Sequence, residues 1–218
     1  MYNTPNLETL EKRAFRATQQ DGLWDIYIGL IVLSMSMLAY SDETEAFPVL
    51  RFGLFLGGLG LAFLIYWAGR KYLTTPRLGQ VKFGPHRQKR KQILTIVLSA
   101  IVLLQVLLLV GTIILWQNPH QAAILGLGSN NFDRERFLVA MVGVLFVGPS
   151  TALIAYFNDF LRGYYISCVL SLAVFSLIWF GQPMYLIFAG MFILVPGVFL
   201  LVRFLYQYKL PPDEALNE

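Results

Sequence analysis

Six apolar stretches, each about as long as a bilayer's hydrocarbon core is thick, leave this chain little choice of fold. They cover residues 23–40, 49–69, 93–116, 137–157, 164–180 and 184–205. A run of about 20 residues with few charges reads as a membrane-spanning helix. The composition agrees, with 56% hydrophobic and 14% charged residues and a mean hydropathy of +0.59. Soluble domains average about 45–50% apolar and 25% charged, so an ordinary soluble globule is excluded. Six spans use roughly 120 residues and leave about 100 for loops and tails, too few for a sizeable soluble domain. The expected architecture is all-α: a six-helix transmembrane domain over 23–205, a polar N-terminal segment 1–22 and a C-terminal tail 206–218. Gly181, Gln182 and Pro183 alone separate the last two stretches, which predicts a tight antiparallel hairpin there.

Lysine and arginine flanking the spans are retained on the cytoplasmic side. With the N-terminus inside, the inner segments hold Lys12, Arg13, Arg16, Arg70, Lys71, Arg77, Lys82, Arg87, Lys89, Arg90, Lys91, Arg162 and Lys209. The outer loops hold Arg134 and Arg136, while Arg51 and Arg203 sit near span ends. Both termini are therefore expected in the cytoplasm, in a bacterial plasma membrane. Tryptophan and tyrosine, which favour the two interfaces, agree. Trp24, Tyr66, Trp67, Tyr156, Tyr164, Tyr165, Tyr206 and Tyr208 fall at inner ends, and Tyr40, Trp116, Trp179 and Tyr185 at outer ends.

No apolar h-region lies near the start, so the first span is expected to act as its own insertion signal. Before it, Thr4 and Pro5 read as an N-cap and first helical position. Leu7, Leu10, Ala14 and Ala17 then follow at helical spacing opposite most of the charges, suiting either an interfacial helix or a solvated one. The single cysteine, Cys168, excludes an intrachain disulfide, and a pI near 9.2 reflects membrane sidedness rather than nucleic-acid binding.

The basic loop 70–92 is the most distinctive segment. Pro76, Gly79, Gly84 and Pro85 predict an extended or turn-like course, followed by Arg87, Lys89, Arg90 and Lys91 at the start of the third span. Two readings stand: a topology determinant anchored on anionic inner-leaflet lipid, and a docking surface for a soluble protein or anionic ligand. Asp21-Gly22-Leu23-Trp24-Asp25, together with Pro76-Arg77-Leu78-Gly79-Gln80-Val81-Lys82-Phe83, resembles a group of uncharacterised bacterial polytopic integral membrane proteins. That resemblance implies a membrane location and no activity.

Asp21, Leu23, Tyr27 and Ile28 match Asp159, Leu161, Tyr165 and Ile166 at equal spacing. This allows a weak parallel repeat of two-helix hairpins, or chance similarity between apolar segments. Intramembrane ionisable residues mark function by default, yet few lie deep here. Asp25 and Asp159 are interfacial, with capping or pairing to a basic residue as the role expected for Asp25. The deep polar features are Gln105, Pro149, Ser150, Thr151, Pro196 and Gly197. They either line a small midplane cavity or are kinks with Gln105 as interhelical glue. Gly53 and Gly57, with Gly60 nearby, form a G-x-x-x-G pattern for close helix packing within the chain or across a dimer.

No Walker A or H-E-x-x-H motif occurs, and His86 and His120 lie on opposite sides of the expected membrane. Neither a metal site nor a cofactor is expected. Ser150 follows proline rather than sitting in a G-x-S-x-G elbow. By elimination and charge placement, the expectation is a non-enzymatic subunit or accessory protein of a membrane complex, meeting a cytoplasmic or membrane partner through its basic loop. A midplane permease and a lipid-acting enzyme using Asp25, Asp159 and the basic loop are the alternatives.

Overall fold

A computed structural model describes residues 21–39, 48–78, 85–117 and 132–208. Six long helices fill them: α1 (Leu23–Ala39), α2 (Pro48–Ala68), α4 (Pro85–Gln117), α5 (Phe132–Phe157), α6 (Leu161–Phe180) and α7 (Met184–Gln207). A π-helical segment (Gly69–Thr74) and a single-turn helix, α3 (Thr75–Leu78), prolong α2. No strand occurs among the described residues. Four helical segments are long and apolar enough to cross a membrane: Val49–Arg77, Arg136–Phe157, Leu161–Phe180 and Met184–Gln207. Leu23–Ala39 and Gln92–Leu108 are shorter apolar helices. The N-terminal amphipathic segment, the acidic loop after Tyr40, Lys82 with the rest of 79–84, the loop 118–131 and the tail with Lys209 lie outside the described residues.

The helices are apolar nearly all round, as suits a lipid solvent rather than water. On α2, Phe52, Leu54, Leu61, Phe63 and Leu64 are all exposed. Small residues mark where helix backbones approach most closely, because lipid tails are as apolar as leucine and close backbone approach supplies attraction.

The chain forms two compact units, Met1–Phe83 with Pro183–Glu218, and Gly84–Gln182. In the first, α1 packs against both α2 and α7. The α1–α7 contact is antiparallel and built on glycines of both helices. A Cβ at Gly29 would stand 3.0 Å from the Gly190 carbonyl oxygen, and one at Gly190 3.1 Å from that of Gly29. Farther along, a Cβ at Gly22 would fall on the Gly197 carbonyl oxygen, and one at Gly197 would meet Asp25 Cβ and Ile26 N. Leu23, Ile26, Val32, Leu186, Ala189, Ile193 and Phe204 are the buried side chains around these contacts.

In the second unit, α5 packs against α6 through Gly143, Gly148 and Gly163, which lie against Val174, Ile178, Ser171 and Ala155. The turn between them is short: Phe160 N–H donates to the Ala155 carbonyl at 2.9 Å, with Asp159 at φ +50°. Within their own units, α6 packs on α5 and α7 on α1. At the starts of the two helices, Leu23 opens α1 and Leu161 opens α6, each two residues after an aspartate.

Two further expectations need correction. Pro76 does not break the helix. The preceding turn widens to π geometry, with Thr75 N–H donating to the Arg70 carbonyl five residues back, which relieves the crowding a proline ring imposes on the carbonyl four residues behind it. Gly53 and Gly57 are not packing positions within the described chain: a Cβ at either, or at Gly60, would meet nothing within 4 Å. Gly58, on a different side of the helix, takes that place against Ser34 of α1.

Candidate functional site at the joint of the first unit

Asp21-Gly22-Leu23-Trp24-Asp25 forms the knot of the first unit. The first N–H groups of a helix lack intrahelical acceptors, and a carboxylate just before the helix supplies one. Asp21 does so through Oδ1, accepting from Leu23 N–H at 3.1 Å. Its other oxygen, Oδ2, accepts from the Thr74 hydroxyl at 2.8 Å, tying the start of α1 to the π segment. Asp21, Asp25 and Thr74 are 3%, 4% and 5% exposed. Negative charge at a helix N-terminus is favoured by the helix dipole, which suits both aspartates to this place.

Gly22 has φ +74°, and a Cβ there would fall on the Gly197 carbonyl oxygen. Leu23 covers Gly69, where a Cβ would stand 2.7 Å from Leu23 Cδ2. Asp25 lies over Gly197, its Cβ 2.8 Å from where a side chain on that glycine would begin. Arg77 closes the joint, donating from Nε to the Tyr208 carbonyl at 2.8 Å and from Nη1 to the Leu73 carbonyl at 2.9 Å. The start of α1, the end of α2 and the end of α7 are thereby fixed together at one end of the unit.

An aromatic and basic rim borders the joint. Trp24, Tyr27 and Tyr66 form a triangle with ring centroids 5.1 to 5.8 Å apart. Arg70 donates from Nη1 to the Tyr66 hydroxyl at 2.6 Å, and its guanidinium lies 5.9 Å from that ring's centroid. Lys71 Nζ is 4.8 Å from the Trp67 centroid and 5.4 Å from that of Tyr72. Arg70 and Lys71 are exposed.

The residues expected at a midplane site fall in separate units. Gln105, Pro149, Ser150 and Thr151 belong to the second, Pro196 and Gly197 to the first. Ser150 and Thr151 donate back to the carbonyls of Phe146 and Val147, four residues earlier in the proline-interrupted turn. Ser167 of α6 donates across to the Gly148 carbonyl at 2.7 Å. Gln105 is half-buried on α4, Pro149 and Pro196 are exposed, and Gly197 is buried against α1. Asp25 and Asp159 likewise fall in separate units, the latter in the turn between α5 and α6.

Of the basic loop, Arg70, Lys71 and Lys89 are exposed, whereas Arg77 is half-buried and engaged by backbone carbonyls. Arg77 therefore belongs to the joint and not to an open basic surface. The backbone of Arg87, Arg90 and Lys91 is helical from Pro85 onward, and their side chains lie outside the described set. No group of three histidine, cysteine or acidic residues able to hold a metal occurs among the described residues. Sequence reasoning missed Thr74, Gly69, Gly22 and Ser167. The Asp-Gly pair before an apolar run is a legible cap signal, but Thr74, 53 positions from its acceptor, carries none.

Chemically, the buried carboxylate with its hydroxyl and backbone donors is an anchor, and the rim offers exposed cations held by aromatic rings. Comparison with family models, curated proteins and solved structures finds no significant match.

Proposed function

We propose that this chain is a multi-pass plasma-membrane protein with six crossings and cytoplasmic termini, serving as a non-enzymatic subunit or accessory protein of a membrane complex. One observation carries the reading. Asp21, Thr74 and Arg77 of the joint are used to fasten helices, while Lys89, in the opening turns of α4, is exposed in a segment that also bears Arg87, Arg90 and Lys91. Such a basic helical turn suits an acidic surface of a cytoplasmic or membrane partner. The topology has support of its own, because the start of α1 and the end of α7 lie at one end of the first unit, as an even number of crossings requires. The resemblance of 21–25 and 76–83 to bacterial polytopic membrane proteins belongs with this reading.

The test is native mass spectrometry of the protein released in native lipid particles, wild type beside R87Q/K89Q/R90Q/K91Q. A stoichiometric protein partner kept by the wild type and lost from the variant is the expected result. Isolation with no partner, or partner retention indifferent to the four changes, overturns the reading.

A further inference from the structure

We propose that Arg70 and Lys71 form a binding site for the phosphate of an anionic phospholipid headgroup, with Tyr66, Trp67 and Tyr72 holding the two cations in place. This rests on the membrane-crossing reading of α2 given above. At 1.5 Å per residue, the 20 or so residues from Val49 to Ala68 span about 30 Å, the thickness of the hydrocarbon core. The helical path runs on through the π segment to Arg77, 29 residues in all from Val49. Arg70 and Lys71 therefore stand within the first turn beyond the apolar run, at the level where headgroup phosphates begin.

Three observations at that level point to an anion. Both cations are exposed. Between Glu45 and Asp133 the sequence contains no Asp or Glu at all, so neither cation has a carboxylate nearby in the chain. The acidic groups at the joint, Asp21 and Asp25, are 3% and 4% exposed, and Asp21 accepts from Leu23 and Thr74. The ring contacts then add position to charge. Arg70 uses one N–H on the Tyr66 hydroxyl, and the guanidinium fork has others suited to two phosphate oxygens. Lys71, lying against Trp67 and Tyr72, keeps its ammonium at the interface instead of extending into bulk water. Tryptophan and tyrosine themselves settle at headgroup depth.

The experiment places the full chain in nanodiscs of mixed phosphatidylglycerol and phosphatidylcholine, where both bilayer faces are open, and counts retained lipids by native mass spectrometry. Phosphatidylglycerol is expected to be retained selectively by the wild type and by R70K/K71R. Each cation near an anionic surface contributes roughly a fivefold factor, so R70Q/K71Q should lower retention on the order of 25-fold. Equal retention of the two lipids, or unchanged retention in R70Q/K71Q, overturns the site. Displacement of the lipid by millimolar inorganic phosphate also overturns it, in favour of a soluble-anion site. Unfolding in mixed micelles is expected to be the same for all three proteins, since both side chains are exposed. Orientation is read separately, by thiol labelling of K89C in a C168S background, so an inverted topology and a failed lipid site give different results.

Discussion

Replacing Gly22 by alanine tests the joint most directly, because Gly181 provides a matched control. Both glycines are left-handed, at φ +74° and +69°. A Cβ at Gly22 would fall on the Gly197 backbone oxygen, with Leu200 Cβ at 3.0 Å and Leu201 N at 3.1 Å, whereas a Cβ at Gly181 meets nothing within 4 Å. The left-handed conformation costs an L-residue about 1–2 kcal/mol. Forcing an extra carbon into a packed contact costs about 1–3 kcal/mol more, and here two of the three obstructing atoms are backbone, which cannot rotate away. G181A should therefore lose about 1–2 kcal/mol and G22A about 2–5 kcal/mol. Reversible unfolding in detergent mixed with increasing SDS, followed by tryptophan fluorescence, measures both. If G22A proves no less stable than G181A, the close approach of α1 and α7 at Gly197 is not what holds this end together.

Thr74→Val removes the hydroxyl donor and leaves a buried carboxylate oxygen of Asp21 short of a bond; a loss of about 1.5–3 kcal/mol is expected in the same assay, against under about 0.5 kcal/mol for the exposed Tyr206→Phe. Gly53→Ala and Gly57→Ala should be neutral or stabilise by up to about 1 kcal/mol through helix propensity, while Gly58→Ala, pressed on Ser34, should destabilise. The reverse order would show that the G-x-x-x-G face is the packed one. Ser167→Ala deletes one interhelical hydrogen bond and should cost only about 0.6 kcal/mol, so a collapse of the α5–α6 pair on that change would contradict the small-residue account.

The six helices were legible because length and hydropathy locate them regardless of what they pack against. The fourth starts at Phe132, the second runs on helically to Leu78, and the third moved most, starting at Pro85 because proline is well suited to a first helical position and the basic run 86–91 is a good helix former. Partner choice was not legible. In a helix apolar all round, the buried side carries no hydropathy signature, so nothing distinguished Gly58 from Gly57, or showed that Gly190 and Gly197 answer Gly29 and Gly22. The motif 21–25 stood out as unusual, but its role depended on Thr74 and Gly197, which only the tertiary structure brings to it. Pro76 misled because the sequence rule for proline assumes an α-helical turn before it, and the chain uses a π turn there.

The pairing of α1 with α7 also sets the order in which the molecule can be completed during synthesis. About 145 residues separate the two helices, so at about 5–20 residues per second the first must wait roughly 7–30 s for its partner to be made. The α5–α6 pair, closed by a four-bond turn from Asn158 to Gly163, needs no such delay. Throughout that interval the glycine side of α1 lacks its partner, and a chain stopped before Met184 never covers it. Completion of the joint thus reports that synthesis has passed the end of α7.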